Sequence, residues 1–280
     1  MTGSGEIKTL LRSIAAQADE KINLGEAALA LAALDRPRVG LERYRHHLAL
    51  LARETTEEVA RRGGAASGLD DRIAALNAVL FDRYGYRGDT FTYDDLQNAN
   101  LMRVIDRRKG LPVTLGILYL HTARAQGWHM VGLSFPGHFL VRLDHDGRRA
   151  ILDPFDQGQV REVTDLRELL KAMAGADAEL TAAHYEPVAN RAILLRLQNN
   201  IKLRLIQNRH IDRAVEVVET MLMFAPDQAA LWREVGMLHV RLDNLRAAIA
   251  ALEQFMQREA GDAPRHHVAA LVQDLKAKLN

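Results

Sequence analysis

His138 and Asp153 are the side chains whose placement could do chemistry, because the residues between them read as a tight β-hairpin. Residues 138–143 alternate, with His138, Leu140 and Arg142 on one face and Phe139, Val141 and Leu143 on the other. Asp146-Gly147 is a favoured two-residue loop, since Asp and Gly tolerate positive φ. That loop pairs Leu140 with Asp153 and sets Asp153 on the His138 face, one diagonal step of about 7–8 Å away. Slipping the loop to His145-Asp146 places His138 directly opposite Asp153, still on one face, whereas a three-residue loop breaks the pair. An imidazole oriented by a carboxylate is a general base with its orienter. The same pair is also an ordinary way to satisfy two buried polar groups and hold a hairpin in place.

A base needs something to activate, which directs attention to the preceding helix. From Val113 to Ala125 only Thr114, His121, Thr122 and Arg124 are clearly polar, so this helix must be covered on several sides. Pro112 suits its first turn, where a missing N–H costs nothing, and Gly127 suits its stop. Met130 to Phe135 is a short apolar strand closed by the turn signal Pro136-Gly137. Backbone N–H groups and the dipole near Pro112 could stabilise an oxyanion.

Gly110-Leu111-Pro112 opening a buried helix, Gly137-His138-Phe139 on a strand and Leu152-Asp153-Pro154 on its partner together resemble the transglutaminase-like core, a papain-type fold. More closely, Arg107-Arg108-Lys109-Gly110-Leu111-Pro112-Val113-Thr114-Leu115, Pro136-Gly137-His138-Phe139-Leu140-Val141-Arg142 and Asp153-Pro154-Phe155 resemble the bacterial SirB/YchA family. That family joins such a domain to tetratricopeptide repeats, and the resemblance runs roughly from Leu24 to Glu259. The implied fold class is α+β and mostly helical, a papain-type core with a small antiparallel sheet followed by tetratricopeptide hairpins. The enzyme pattern has a Cys, His, Asp triad in chain order. Laid on this sequence, it puts the nucleophile position on Pro112, with His138 and Asp153 as the other vestigial positions.

Proline carries no nucleophilic atom and the sequence contains no cysteine, so thiol acyl-transfer chemistry has no agent. Thr114, about half a helical turn further on, is the alternative nucleophile. Two function classes stand side by side. One is a non-catalytic regulator or adaptor that has lost its nucleophile and kept its shape. The other is a hydrolase or acyl transferase that uses Thr114 or a water activated by His138.

Composition narrows the field. Of 280 residues, 48% are apolar and 26% charged, the balance of a globular protein of one large or two ordinary domains. Lys and Arg number 37 against 36 Asp and Glu, so no general attraction to nucleic acid or anionic membrane follows. A basic stripe with stacking aromatics, the footprint of nucleic-acid recognition, is missing. Asp144, His145 and Asp146 cluster, but a two-residue hairpin splays them outward and no second ligand pair has metal spacing. No metal, cofactor or membrane is expected. The start of the chain lacks a basic-then-apolar leader pattern, and the expected location is cytoplasmic.

Around the central stretch, residues 1–5 are expected to be disordered and Glu6 to Ala18 helical, with Asn23 and Glu26 as a capping box for an Ala/Leu helix. Leu41 to Arg62 is amphipathic; His46 and His47 on it diverge by about 100° and are assigned to a solvated face. Asp70 is expected to cap a helix running to Tyr84. Gly85 to Asp95 is aromatic and acidic, either a surface loop anchored by its rings or the rim of a cleft over Pro112. Leu96 to Arg108 is expected to be one helix ending in Arg107-Arg108-Lys109, cations that complement its dipole or, alternatively, bind an anionic group through Arg107 and Arg108. Gly175 to Tyr185 reads as a linker.

The last third carries a 34-residue period: Ala214 and Ala248, Ile201 and Val235, and Val218 and Leu252 are each 34 apart. That period is the tetratricopeptide signature, with Trp232, Val235 and Gly236 matching the motif start and Pro226 its terminal proline. Two repeats need caps, and the helix from Pro264 to Leu279 is expected to supply one, with the N-terminal domain at the other end. The expected domains are residues 1–185 and 186–280. The resemblance implies a groove for a protein or peptide partner lined by Arg196, Asn199, Arg233 and Met237.

Overall fold

The computed structural model describes residues 4–279. Of the segment expected to be disordered, residues 1–3 lie outside the described residues, while Ser4 and Gly5 already belong to α1 (Ser4–Ala15). The chain forms two compact units. The first comprises Ala18–Leu197 with the residues up to Ile7; the second comprises Gln198 onward with Lys8–Gln17.

The first unit contains α2 (Leu24–Leu34), α3 (Glu42–Arg61), α4 (Leu69–Asn77), α5 (Leu101–Arg107), α6 (Pro112–Arg124) and α7 (Val163–Ala174). A parallel pair, β1 (Arg87–Gly88) with β2 (Lys109–Gly110), ties the aromatic loop to the start of α6, a link the sequence did not reveal. The main sheet is antiparallel, made of β3 (His129–Leu133), β4 (Val141–His145), β5 (Arg148–Asp153), β6 (Gln159–Val160) and β7 (Pro187–Val188) in the order β6-β5-β4-β3-β7. Pro112 is the first residue of α6, and every α6 side chain except His121 and Arg124 is buried. The helix packs against α2, α3, β3 and the turn that follows Asp153.

Gly116 shows how tight that packing is. A Cβ built there would lie 2.4 Å from the Phe139 ring. Gly→Ala inside a helix ordinarily gains up to about 1 kcal/mol, but here the methyl group has no room. Gly116→Ala is therefore expected to destabilise by about 1–3 kcal/mol in urea unfolding; a stabilised variant would mean that Phe139 does not pack on α6.

The β4–β5 hairpin turns at Asp146-Gly147, with φ of 47° and 75°, and pairs Val141 with Leu152 and His145 with Arg148. His138 itself stands before the strand, because β4 begins at Val141 after the Pro136-Gly137 turn. Several expected elements differ. Leu96 to Arg108 is not one helix: a 3-10 turn over Leu96–Ala99 stops at Asn100, whose extended backbone and side-chain acceptor for the Arg103 N–H start α5 afresh. Asp70 does not cap α4; Gly68 does, with its N–H donating to Asp71, and the helix continues as a π-turn over Ala78–Arg83. The expected linker ends in β7, where Pro187 sits on a sheet edge that needs no N–H donor. The units accordingly divide after Leu197, inside α8 (Asn190–Gln207), whereas the Pro187 signal places the expected boundary after Tyr185.

In the second unit, α9 (Ile211–Phe224), α10 (Ala229–Arg241), α11 (Leu245–Arg258) and α12 (Asp262–Leu279) pack in succession. Ala214 and Ala248 are fully buried, and Gly236 allows the close approach of Leu252. Trp232 Nε1 donates to the Pro226 carbonyl at 2.8 Å. Val268, Val272 and Leu275 of α12 close the core formed with Leu252 and Phe255.

Candidate functional site

Asp153 ends β5 and caps the 3-10 turn Pro154–Asp156. Its Oδ1 accepts from His138 Nε2 at 2.9 Å and from the N–H groups of Phe155 and Asp156 at 3.0 and 3.4 Å. Its Oδ2 accepts from Arg161 Nη2 at 2.9 Å, and the same Nη2 reaches Asp156 at 2.7 Å. Burial alone would raise the Asp153 pKa, but the bonds and charges of His138 and Arg161 outweigh it and hold the carboxyl below its ordinary value.

His138 is positioned from behind. Arg196 donates to its carbonyl and to that of Phe135, the latter at 3.1 Å, while the guanidinium lies 5.5 Å from the Phe139 ring centroid. Burial lowers the Arg196 pKa from its ordinary value. Phe139 in turn packs on Gly116, one turn along α6 from Pro112. Above the imidazole, the Phe155 ring lies edge-on at 6.0 Å and Tyr93 lies edge-on to Phe155 at 5.8 Å. Gly88 is required beneath: a Cβ there would meet the Phe155 ring at 2.6 Å. Tyr93 of the aromatic loop thus reaches the His138 site through Phe155.

Thr114 faces elsewhere. Its Oγ1 is fully buried and donates to the Asn98 carbonyl at 2.9 Å, which also accepts the Leu111 N–H at 3.1 Å. Among the described residues no hydrogen bond joins Thr114 to His138. Asn98 is itself fixed, donating to the Thr92 carbonyl at 2.6 Å and accepting from Arg107 at 2.9 Å.

The two arginines before Pro112 take separate internal partners. Arg107 pairs at 3.0 Å with buried Asp89. Burial pushes the Asp89 pKa up, yet the Thr92 hydroxyl and N–H, with Asn98 and Lys109, bring it down to about 2. Arg108 adopts a left-handed backbone, φ 61°, which aims its guanidinium at the rings of Tyr84 and Tyr86, with centroids at 5.3 and 4.8 Å. It bonds the Tyr86 hydroxyl and His47 Nε2, the latter at 2.8 Å. Burial and the Arg108 charge lower the His47 pKa to about 4. His47 is therefore not on a solvated face, although neighbouring His46 is.

Arg196, expected in the partner groove, belongs to the first unit and holds the His138 segment. The other three groove candidates lie in the second unit. Asn199 accepts from Lys202, which is buried and also bonds Glu234 at 2.6 Å. Arg233 is exposed, and Met237 and Leu203 are 41% and 54% exposed. Leu203, which the sequence reading passed over, stands 34 residues before Met237, at the same place in the repeat. Arg161 and Asn98 were also missed. Only the proximity of Arg161 to the Asp-Pro-Phe turn could have signalled it. Asp144, expected to splay outward, instead pairs with Arg142 at 2.9 Å and His129 at 3.1 Å. Among the described residues no group of three His, Asp or Glu could hold a metal ion, and no helix is long and apolar enough to cross a membrane.

Residues 42–199 match the model of the transglutaminase-like superfamily, and residues 201–273 match a tetratricopeptide repeat. The class is thus a transglutaminase-like domain followed by tetratricopeptide helices. The UPF0162 protein of Xylella fastidiosa (strain Temecula1) is 32% identical over 189 residues, 66% of this chain and 67% of that one. The UPF0162 protein of Vibrio cholerae is 29% identical over 266 residues, 93% of this chain and 97% of that one. Protein SirB1 of Salmonella typhimurium is 23% identical over 210 residues, 75% of this chain and 78% of that one. The chain belongs to this SirB/YchA-type family.

Proposed function

We propose that this is a non-catalytic regulatory or adaptor protein of the cytoplasm. In this reading Pro112, His138 and Asp153 are the vestigial positions of a triad, and the tetratricopeptide helices offer a surface to a protein or peptide partner. The observation that carries it is the state of the helix start. Pro112 has no nucleophilic atom, the sequence has no cysteine, and the Thr114 hydroxyl is turned to the Asn98 carbonyl. The cover of Phe155 and Tyr93 over His138 supports the same reading. For the partner surface, the support is the exposed pair Leu203 and Met237, repeated at one tetratricopeptide position, with Asn199 and Arg233 alongside.

The alternative is a hydrolase or acyl transferase using Thr114 or a His138-activated water, and the intact His138–Asp153 pair favours it. One comparison separates them. The wild type, His138→Ala and Thr114→Val are assayed with p-nitrophenyl acetate and an amide analogue, each checked for folding by circular dichroism. Equal background rates are expected for all three. Turnover that depends on His138 or Thr114 would overturn the non-catalytic reading.

A further inference from the structure

We propose that the open edge of β5 beside the start of α7 binds an extended peptide segment carrying a carboxylate next to an apolar side chain. This site lies in the first unit and does not rest on the tetratricopeptide surface.

The sheet leaves this edge unfinished. β6 is the outer strand, but it pairs only with Leu152 and Asp153 of β5. One further bond, from the Arg161 N–H to the Ile151 carbonyl at 2.8 Å, follows before the chain turns into α7 at Val163. Among the described residues no strand pairs with the outer side of β5 from Arg148 to Ala150. Backbone groups alternate in direction along a strand, so the outward set that includes Ile151 also includes the N–H and carbonyl of Arg149. An exposed edge of this kind is a template for an added strand.

Side chains around the edge state what kind of strand fits. A pocket of about 290 Å³ opens here, walled by Ala150, Ile151, Leu166 and Tyr185. Val160 and Val163 line it and remain 40% and 48% exposed, a large apolar surface for residues flanking a cavity. They call for an apolar side chain.

The charged lining calls for a carboxylate. Arg142, Arg149 and Arg161 line the pocket against one acidic side chain, Glu162. Arg142 is engaged with Asp144 and the Tyr185 carbonyl. Arg149 is 71% exposed, and its Nε stands 3.9 Å from Asp144, the far limit of an ion pair. The Arg161 Nε–H is buried without a hydrogen-bond partner, although Nη2 of the same guanidinium holds Asp153 and Asp156. An unpaired buried donor is costly, and a guanidinium bonds carboxylates in a forked geometry. A carboxylate drawn to Arg161 would also pull on the group that orients the Asp153–His138 pair, so occupation of the edge is read at His138.

The test uses the full chain, labelled with ¹⁵N, and an acetylated, amidated heptapeptide of alternating valine and glutamate. The peptide is expected to shift and protect the amides of Arg149 and Ile151 and to move the His138 ring nitrogen resonances. Arg149→Glu and Val163→Asp, both at exposed positions, are each expected to weaken binding at least tenfold while leaving the rest of the spectrum unchanged. Absence of binding at millimolar peptide, equal binding of a valine–lysine peptide, or indifference to Arg149→Glu would overturn the proposal. Glutarate producing the same shifts at the same concentration would also overturn it, by showing a small-anion pocket in place of strand pairing.

Discussion

Asp153→Ala is expected to lower the unfolding free energy by about 3–5 kcal/mol, the cost of breaking a buried ion pair by removing one partner. The buried carboxylate serves four donors: His138 Nε2, the N–H groups of Phe155 and Asp156, and Arg161 Nη2. Its removal leaves the imidazole and two backbone N–H groups without their acceptor and takes one of two carboxylates from Arg161. The measurement is equilibrium urea unfolding above pH 5. A loss below about 1 kcal/mol, the worth of an ordinary hydrogen bond, would contradict the central place given to this residue. The pH dependence has a definite sign. The folded pKa of Asp153 is depressed, so its stabilisation is complete above the unfolded value of about 3.9 and is lost as pH falls through the folded value. The wild-type and variant curves should therefore converge toward acid.

The parts of the fold that local chemistry dictates were legible in the sequence. The hairpin register followed from the period of two and from an Asp-Gly loop that accepts positive φ at both residues. The burial of α6 followed from its lack of a polar face, and the repeat from residues 34 apart. What escaped depends on pairings across sequence distance, which periodicity does not encode. Arg196 reaches back to the carbonyl of His138, and Arg107 to Asp89, neither along one face of a shared element. His47 looked solvated because its own helix says nothing of Arg108 and Tyr86, which come to it from elsewhere. The break at Asn100 inside the expected Leu96 to Arg108 helix escaped because a capping asparagine and a polar helical one look alike until the backbone is seen. The cover over His138 depends on Gly88 lying under Phe155, a contact between residues far apart in the chain.

Thiol enzymes of this class need a thiolate stabilised by a neighbouring imidazolium and a helix N-terminus. Pro112 supplies the helix position, and Asp153 occupies His138 Nε2, which leaves Nδ1 as the ring nitrogen able to face a new group. Substitution at the first helical position is well tolerated, since an added N–H there belongs to the unpaired first turn in any case. Thr114→Cys is the control, because its side chain points to the Asn98 carbonyl in a fully buried setting that raises a thiol pKa. The decisive measurement is the pH titration of thiolate absorbance at 240 nm in Pro112→Cys, with and without His138→Ala. The expected result is a thiol pKa below the free-cysteine value of about 8.5 that returns to or above it when His138 is removed. A Pro112→Cys thiol titrating at or above about 8.5 with His138 in place would contradict the assignment of Pro112, His138 and Asp153 to one vestigial site.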